Sequence, residues 1–402
     1  MLSRRVENIA PSATMEITGK IAQLREKGID IVGLNLGEPD FGTPEHICEA
    51  AKKAIDEQKT KYTPVGGITE LKKAIAAKLE RENNIKYDLS EICVGTGAKQ
   101  VLVNAILSLC DEGDEVIIPT PGWVSYIEMV KLAGAEPVLV PCKEEDGFAL
   151  DLTAISSKVT SKTKAIIINT PNNPTGAVYA EESLRELAAL AEKNDFYIIS
   201  DEVYEKLIYG GVKHFSVASI SEALKNRVVT INGVSKAYSM TGWRIGYAAA
   251  PAKIIGAMAK LQGHTTSNTC SIAQHAALEA LAGPQDELEI MRKEFEKRKD
   301  FLLERISELK GIGCAKPDGA FYLMPNVSAY YGKSFNGKVL KDSYDITNYL
   351  LDQAWVAVVP GDAFMAPDNV RISYSNSMEQ LTKAMDRIEK ALGRLVEQNG
   401  GV

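Results

Sequence analysis

Apolar and polar positions along this chain keep two rhythms. Short continuous runs rich in β-branched residues occur at 115–119 (EVIIP), 164–170 (KAIIINT), 196–200 (FYIIS) and 227–232 (RVVTIN). Runs without polar alternation fit strands buried on both faces of a mostly parallel sheet. Between them lie amphipathic stretches such as 182–193, where Leu184, Leu187, Leu190 and Ala191 share one helix face. The alternation predicts an α/β domain, helices on both sides of the sheet, over about 46–285. After Gly283-Pro284 the pattern changes. A charged stretch at 286–310 sets Met291, Phe295, Leu302, Ile306 and Leu309 on an inner face, and strand-like runs follow at 319–324, 354–359 and 369–374. A closing helix from about Met378 places Leu381, Met385, Ile388, Leu392 and Leu395 on one side. Residues 286–402 thus read as a smaller α+β domain. Residues 1–45 read as an N-terminal segment, with a helix at about 15–27, that packs with it.

The length of 402 residues agrees with about two domains. A formal net charge of -7 weighs against nucleic acid as the main ligand. No run approaches the roughly 18 apolar residues of a membrane span. The start MLSRRVENIA has arginines but no apolar core behind them, so no signal peptide is expected. Six cysteines without a CxxC pair suit reduced thiols in a cytoplasm. The four histidines stand apart in sequence, so no metal is expected.

Candidate chemistry gathers at the carboxyl ends of the predicted strands, where open α/β sheets bind ligands. Gly95-Thr96-Gly97 ends one strand and a helix starts near Ala98, an arrangement suited to a phosphate, or else a plain turn. Trp123 in PTPGWVSY can cover a planar ring, or belong to the core. In NTPNNPTGAVY, a rigid loop holds Asn172 and Asn173, as turn formers or as site amides. Asp201 in IISDEVYEKL ends a buried run, where a carboxylate needs a cation unless it caps a helix; Tyr204 follows three residues on. Lys236 in NGVSKAYSMTGWRIGY follows another strand end, with Arg244 eight residues later. A lysine held in a cleft can form a Schiff base and act as base, although a surface lysine is commoner. Arg371 in NVRISYSNS lies on a sheet surface or aims a fork at a carboxylate.

Together these motifs resemble the class I and II aminotransferases of the fold type I pyridoxal-phosphate enzymes. The likeness runs from LNLGEPDF (34–41) to VRISYS (370–375), and GVSKAYSMTGWRIG (233–246) matches the signature around the cofactor lysine. The resemblance implies a large domain with a mostly parallel, seven-stranded-type sheet and a ping-pong transfer of an amino group. Lys236 would form the internal aldimine with pyridoxal 5′-phosphate and serve as acid and base. Asp201 would pair with the pyridine nitrogen. Asn173 and Tyr204 would bond the ring oxygen, and Trp123 would stack on the ring. Arg244, with the backbone of Gly97 and Ala98, would hold the phosphate. Many relatives have a serine three residues before the lysine; this chain has Gly233, and Ser235 is given a phosphate role instead. Tyr62 in KYTPVGG would reach the phosphate of a neighbouring subunit, which implies a homodimer. Arg371, helped by the backbone of Gly37, would receive the substrate α-carboxylate.

Pro11-Ser12-Ala13-Thr14 and Gly97-Ala98-Lys99 resemble the bacterial aspartate aminotransferase branch called subgroup Iγ. In that branch Lys99, Ser12 and Thr14 would recognise a distal carboxylate. Lys99 would otherwise stand against the dipole of its helix for no purpose. Aspartate with 2-oxoglutarate is the expected pair. An aromatic amino acid or prephenate as co-substrate, and a C–S β-lyase or cyclopropane-forming synthase on the same fold, are the alternatives. A transcription regulator on this fold would need an added amino-terminal DNA-binding module, for which a likeness starting near residue 30 leaves no room.

Overall fold

The computed structural model describes residues 2–11 and 13–396, apart from the side chains of residues 13–16. Its centre is a sheet of seven strands: β1 (Ile92–Thr96), β2 (Glu115–Thr120), β3 (Glu136–Pro141), β4 (Thr163–Asn169), β5 (Tyr197–Asp201), β6 (Val228–Gly233) and β7 (Ile245–Ala249). Their order is β1-β7-β6-β5-β4-β2-β3. Only β7 opposes its neighbours, pairing antiparallel with both β1 and β6. The mostly parallel sheet expected from the apolar runs is present.

Successive side chains of a strand point to opposite faces, so each apolar run feeds two cores. On one face, Ile166, Ile168 and Ile198 share a core with helices that include α2 (Glu45–Asp56), α3 (Thr69–Asn83) and α6 (Glu181–Asn194). On the other, Ala165, Ile167 and Ile199 pack against α4 (Gly97–Leu109) and α5 (Ser125–Leu132). Leu184, Leu187 and Ala191 are buried as the helical spacing predicts, while Leu190 is only half-buried.

A further core gathers α7 (Asp286–Ser307), α8 (Ser343–Ala354) and α9 (Met378–Leu392) around three antiparallel strands: β8 (Tyr322–Leu323), β9 (Val359–Pro360) and β10 (Val370–Ser373). It also takes Val203, Tyr204, Leu207 and Tyr209 from the turn after β5, so it is seated on the edge of the large sheet. The strand-like runs 319–324 and 354–359 shrink to two-residue pairings. The closing helix ends at Leu392, and Leu395 packs from beyond it.

The N-terminal helix α1 (Ala13–Glu26) sets Ile21 against Leu351 and Ala357, and Val32–Gly33 pairs in parallel with Val356–Ala357. At its outer end, the Ala10 N–H donates to Glu128 on α5 at 2.9 Å, so the segment touches both bodies.

Candidate active site

A cavity of about 330 Å³ lies at the carboxyl ends of the parallel strands, between the two bodies. Strand direction explains who lines it. β1, β2, β4, β5 and β6 all end at this edge and deliver Ala98, Trp123, Asn173, Asp201 and Lys236 just beyond their last residues or at them. β7 runs the other way, so the residue before it, Arg244, reaches the same edge. Lys99, Ser235, Tyr204, Gly37 and Arg371 complete the sequence-derived set within the cavity wall.

Asp201 is 3% exposed, and both its oxygens are engaged. Tyr126 Oη donates to Oδ2 at 2.6 Å and the Val203 N–H to Oδ1 at 3.2 Å. Burial raises its pKa to about 6 despite those bonds; Glu202 pushes the same way and Lys236 the other. The cation that the sequence reading demands is absent from its immediate bonds. Lys236 Nζ donates to the Gly37 carbonyl at 2.6 Å. Burial lowers its pKa to about 8, opposed chiefly by Glu38 and aided by Arg244 and Arg371. A neutral amine is therefore accessible near neutral pH.

Asn172 and Asn173 divide the two roles that the sequence left open. Asn172 Oδ1 accepts from the Thr175 N–H and hydroxyl at 3.1 and 2.9 Å and builds the turn. Asn173 faces the cavity, its own N–H fixed to Asn169 Oδ1 at 2.7 Å. Arg371 is buried, not at a sheet surface. Its Nη1 donates to Asn173 Oδ1 at 3.0 Å and its Nη2 to the Asn35 carbonyl at 2.6 Å, while Nε has no partner among the described residues. The guanidinium lies 4.6 Å from the Tyr322 ring centroid and 4.9 Å from that of Phe364. An orphan donor in so dry a place is an invitation to an acceptor.

Main chains crowd together under the other end of the cavity. Gly97 opens α4 at φ +77°, and a Cβ there would stand 2.5 Å from Arg244 Nη2. A Cβ on Gly246 would run into the backbone of Ala98, and one on Gly233 would lie 2.9 Å from the Ile245 carbonyl oxygen. Gly233, three residues before Lys236, thus stands where a side chain would press on this contact.

Lys99 occupies the first turn of α4, 4.8 Å from the Trp123 ring centroid. Among the described residues it has no ion-pair partner. Burial, and then Arg244, lower its pKa. Tyr62 is not in the cavity; it is 92% exposed. Ser12 lies outside the described residues, as does the side chain of Thr14.

The family model for aminotransferases of class I and II matches residues 29–388. The chain belongs to that family. It is 49% identical over 389 residues to the aspartate aminotransferase of Bacillus subtilis, covering 97% of this chain and 98% of the relative. The aspartate/prephenate aminotransferase of Cereibacter sphaeroides is 47% identical over 390 residues, 96% and 98% of the two chains. Among solved structures, the Thermus thermophilus aspartate aminotransferase with maleate superposes with a TM-score of 0.92 at 44% identity, covering 97% and 99%. This aminotransferase works with pyridoxal 5′-phosphate, as its family does.

The sequence reading missed several residues in and behind this aminotransferase's cavity wall. Tyr126 follows Trp123 by three positions at a helix start, a spacing that puts both on one face, and the rings meet edge-on at 5.3 Å. Tyr322, whose hydroxyl lies 2.9 Å from that of Tyr204, gave no local signal, nor did Asn35, which acts through its backbone carbonyl.

Proposed function

We propose that the chain transfers the amino group of an acidic amino acid, aspartate foremost, to 2-oxoglutarate. The observation that carries this reading is Lys99: a cation in the cavity wall, without a carboxylate partner among the described residues, at a helix start where the dipole disfavours it. A substrate with a second carboxylate would complete it. The Thermus thermophilus relative was solved with maleate, a dicarboxylate, which supports the same chemistry.

The residues present fit the cofactor. The start of α4 and the Arg244 guanidinium, close over a glycine without room for a Cβ, make an anion cradle. The buried carboxylate of Asp201 calls for a cation, such as a protonated ring nitrogen. Arg244, Gly97, Ala98 and Ser235 would hold the phosphate, Asn173 and Tyr204 the ring oxygen, and Trp123 one ring face. When bound, pyridoxal phosphate supplies a carbonyl carbon that condenses with amines and a conjugated ring that accepts the electron pair of a deprotonated Cα.

The chain's own groups do the rest. Arg371, through Nε and its fork, binds the α-carboxylate and orients Cα. Lys236, its basicity lowered by burial, would take the proton from the substrate Cα and return it to the carbon that the cofactor's carbonyl supplies on the far side of the amino nitrogen. Asp201 holds a fixed negative charge where positive charge must persist. Lys99 binds the distal carboxylate and sets donor choice.

Loss of one member of a desolvated charge pair costs about 2–5 kcal/mol, or roughly 30- to 3,000-fold in specificity. Lys99→Ala should lower kcat/KM for aspartate and glutamate within that range and leave alanine and phenylalanine as donors nearly unchanged. An equal loss for all four donors would remove the acidic-substrate assignment and make Lys99 a cofactor ligand. The reading extends to a homodimer in which Tyr62 serves the neighbouring site. It extends also to the cytoplasm, because all six cysteines are unpaired thiols.

A further inference from the structure

The segment Asp201–Glu205 has two faces. Asp201 and Tyr204 turn toward the cavity, while Glu202 and Glu205 turn away into a buried polar network. Glu202 is fully buried. Its Oε1 accepts from Ser200 and Ser216 hydroxyls, both at 2.8 Å, and its Oε2 lies 2.9 Å from His214 Nε2. Glu205 accepts from Lys78 Nζ, from Asn232 Nδ2 at 2.8 Å and from Asn83 Nδ2 at 2.7 Å. The same His214 nitrogen is 3.9 Å from Glu205 Oε2.

Glu202, Glu205 and His214 offer metal-ligand atoms within 4.8 Å of one another. The cation there is the Lys78 ammonium; amide and hydroxyl groups and the His214 imidazole engage the remaining oxygens. The network therefore has no need of a metal. It has an imbalance of charge: two buried carboxylates face one ammonium. Glu82, next to Lys78 at 3.7 Å, has partners of its own in Lys206 and Arg81. The tyrosines around the carboxylates, Tyr87, Tyr238 and Tyr247, are kept neutral by burial. Among the described residues, the group left to balance the charge is His214.

We propose that His214 is a positioning residue that, carrying a proton and acting through Glu202, keeps the Asp201 carboxylate ionised. Glu202 adjoins Asp201 in the chain, and its charge disfavours a second negative charge there. Asp201 faces the cavity and Glu202 the network behind it, so a cation bound in front of Asp201 stands on the far side of that carboxylate from Glu202. Unbalanced, it repels the carboxylate more than it attracts that cation, and the ion pair weakens. An imidazolium against Glu202 cancels this effect. Burial alone would lower the pKa of His214, but the charge and hydrogen bond of Glu202, with Glu205 behind, raise it against the opposing Lys78.

The inference rests on Asp201 facing the cofactor's ring nitrogen, and the tests separate the two ideas. In the wild-type holoenzyme, the His214 imidazole should titrate by NMR above the ordinary value of about 6.5; a midpoint at or below that value overturns the proposal. His214→Gln keeps a donor to Glu202 and removes the charge. Cofactor dissociation constants measured from pH 6 to 9 should show the variant weaker by about tenfold at pH 6, with the ratio to wild type closing toward one at pH 9 as the wild-type histidine loses its proton. A ratio that stays flat with pH marks a purely structural histidine and overturns the proposal. If the single variant does not fold, His214→Gln with Glu202→Gln restores a neutral pair; it should fold and bind cofactor close to wild type, and failure to do so counts against the idea. Near-normal turnover in Asp201→Ala would instead remove the assignment beneath it, whatever His214 does.

Discussion

Asp201 carries a burden in the cofactor-free chain that its sequence neighbours do not disclose. Its folded-state pKa, about 6, lies above the ordinary 3.8, so the folded state holds the proton more tightly than the unfolded one. The associated stability is present in full below the lower value and is lost as pH rises through the upper one, by roughly 3 kcal/mol. Asp201→Asn should therefore melt higher than wild type at pH 8 when both lack cofactor, and the gap should narrow as pH falls toward 5. Calorimetry at both pH values decides it; an unchanged gap means that the carboxylate is stabilised by something other than the cofactor's cation. Glu205 has the opposite sign. Burial would raise its pKa, but Lys78 and then His214 bring it down to about 2, so its contribution is present above the ordinary carboxylate range and lost in acid as the pH falls toward that value.

At the scale of elements, the start of α4 is the most constrained piece. Gly97→Ala places a Cβ in the left-handed region and against Arg244, so the guanidinium must move. A charge-assisted bond of about 1.5–3 kcal/mol corresponds to some 10- to 150-fold in affinity. The variant should lose cofactor affinity within that range, read by fluorescence titration, while its ratio of aspartate to alanine turnover stays unchanged. A shifted ratio would mean that the helix start acts on the substrate instead. Elements of this kind were legible where their pattern was local. The parallel strands β2, β4, β5 and β6 showed as continuous apolar runs because both their faces are buried. β3 was not, since prolines punctuate EPVLVP and its edge position leaves it partly exposed. β7 was not, because IGYAA is short and mostly of small residues with a glycine inside it; its reversed direction, which brings Arg244 to the cavity, is fixed by pairing at long range. Arg371 read as alternating, yet β10 is buried throughout because the N-terminal segment covers it. Tyr322 and Asn35 were invisible for the same reason: they serve the site through contacts that only the assembled fold creates.

The whole molecule brings residues from its N-terminal segment, its large sheet and its smaller body to one cavity, and the proposed dimer would add a fourth contributor. Tyr62 stands almost wholly in solvent on the single chain, an unusual position for a large aromatic. If it completes a neighbour's site, a mixture of Tyr62→Phe and Lys236→Ala chains should form heterodimers with one intact site in two. Activity above the average of the two parents is expected after subunit exchange. Activity equal to that average, or a fully active monomer in sedimentation, would sink the shared-site dimer. The floor of the cavity bears on heredity. Where Gly246 lets main chains touch and Gly97 holds a left-handed turn against the Arg244 guanidinium, almost any codon change forces a displacement, and lineages carrying it would be culled. Lys99 stands in the cavity wall, where a new side chain meets a guest molecule. A mutagenesis library aimed at new amino donors should therefore spare these two glycines and randomise around Lys99, because descent can rewrite the guest list while the foundations stay as they are.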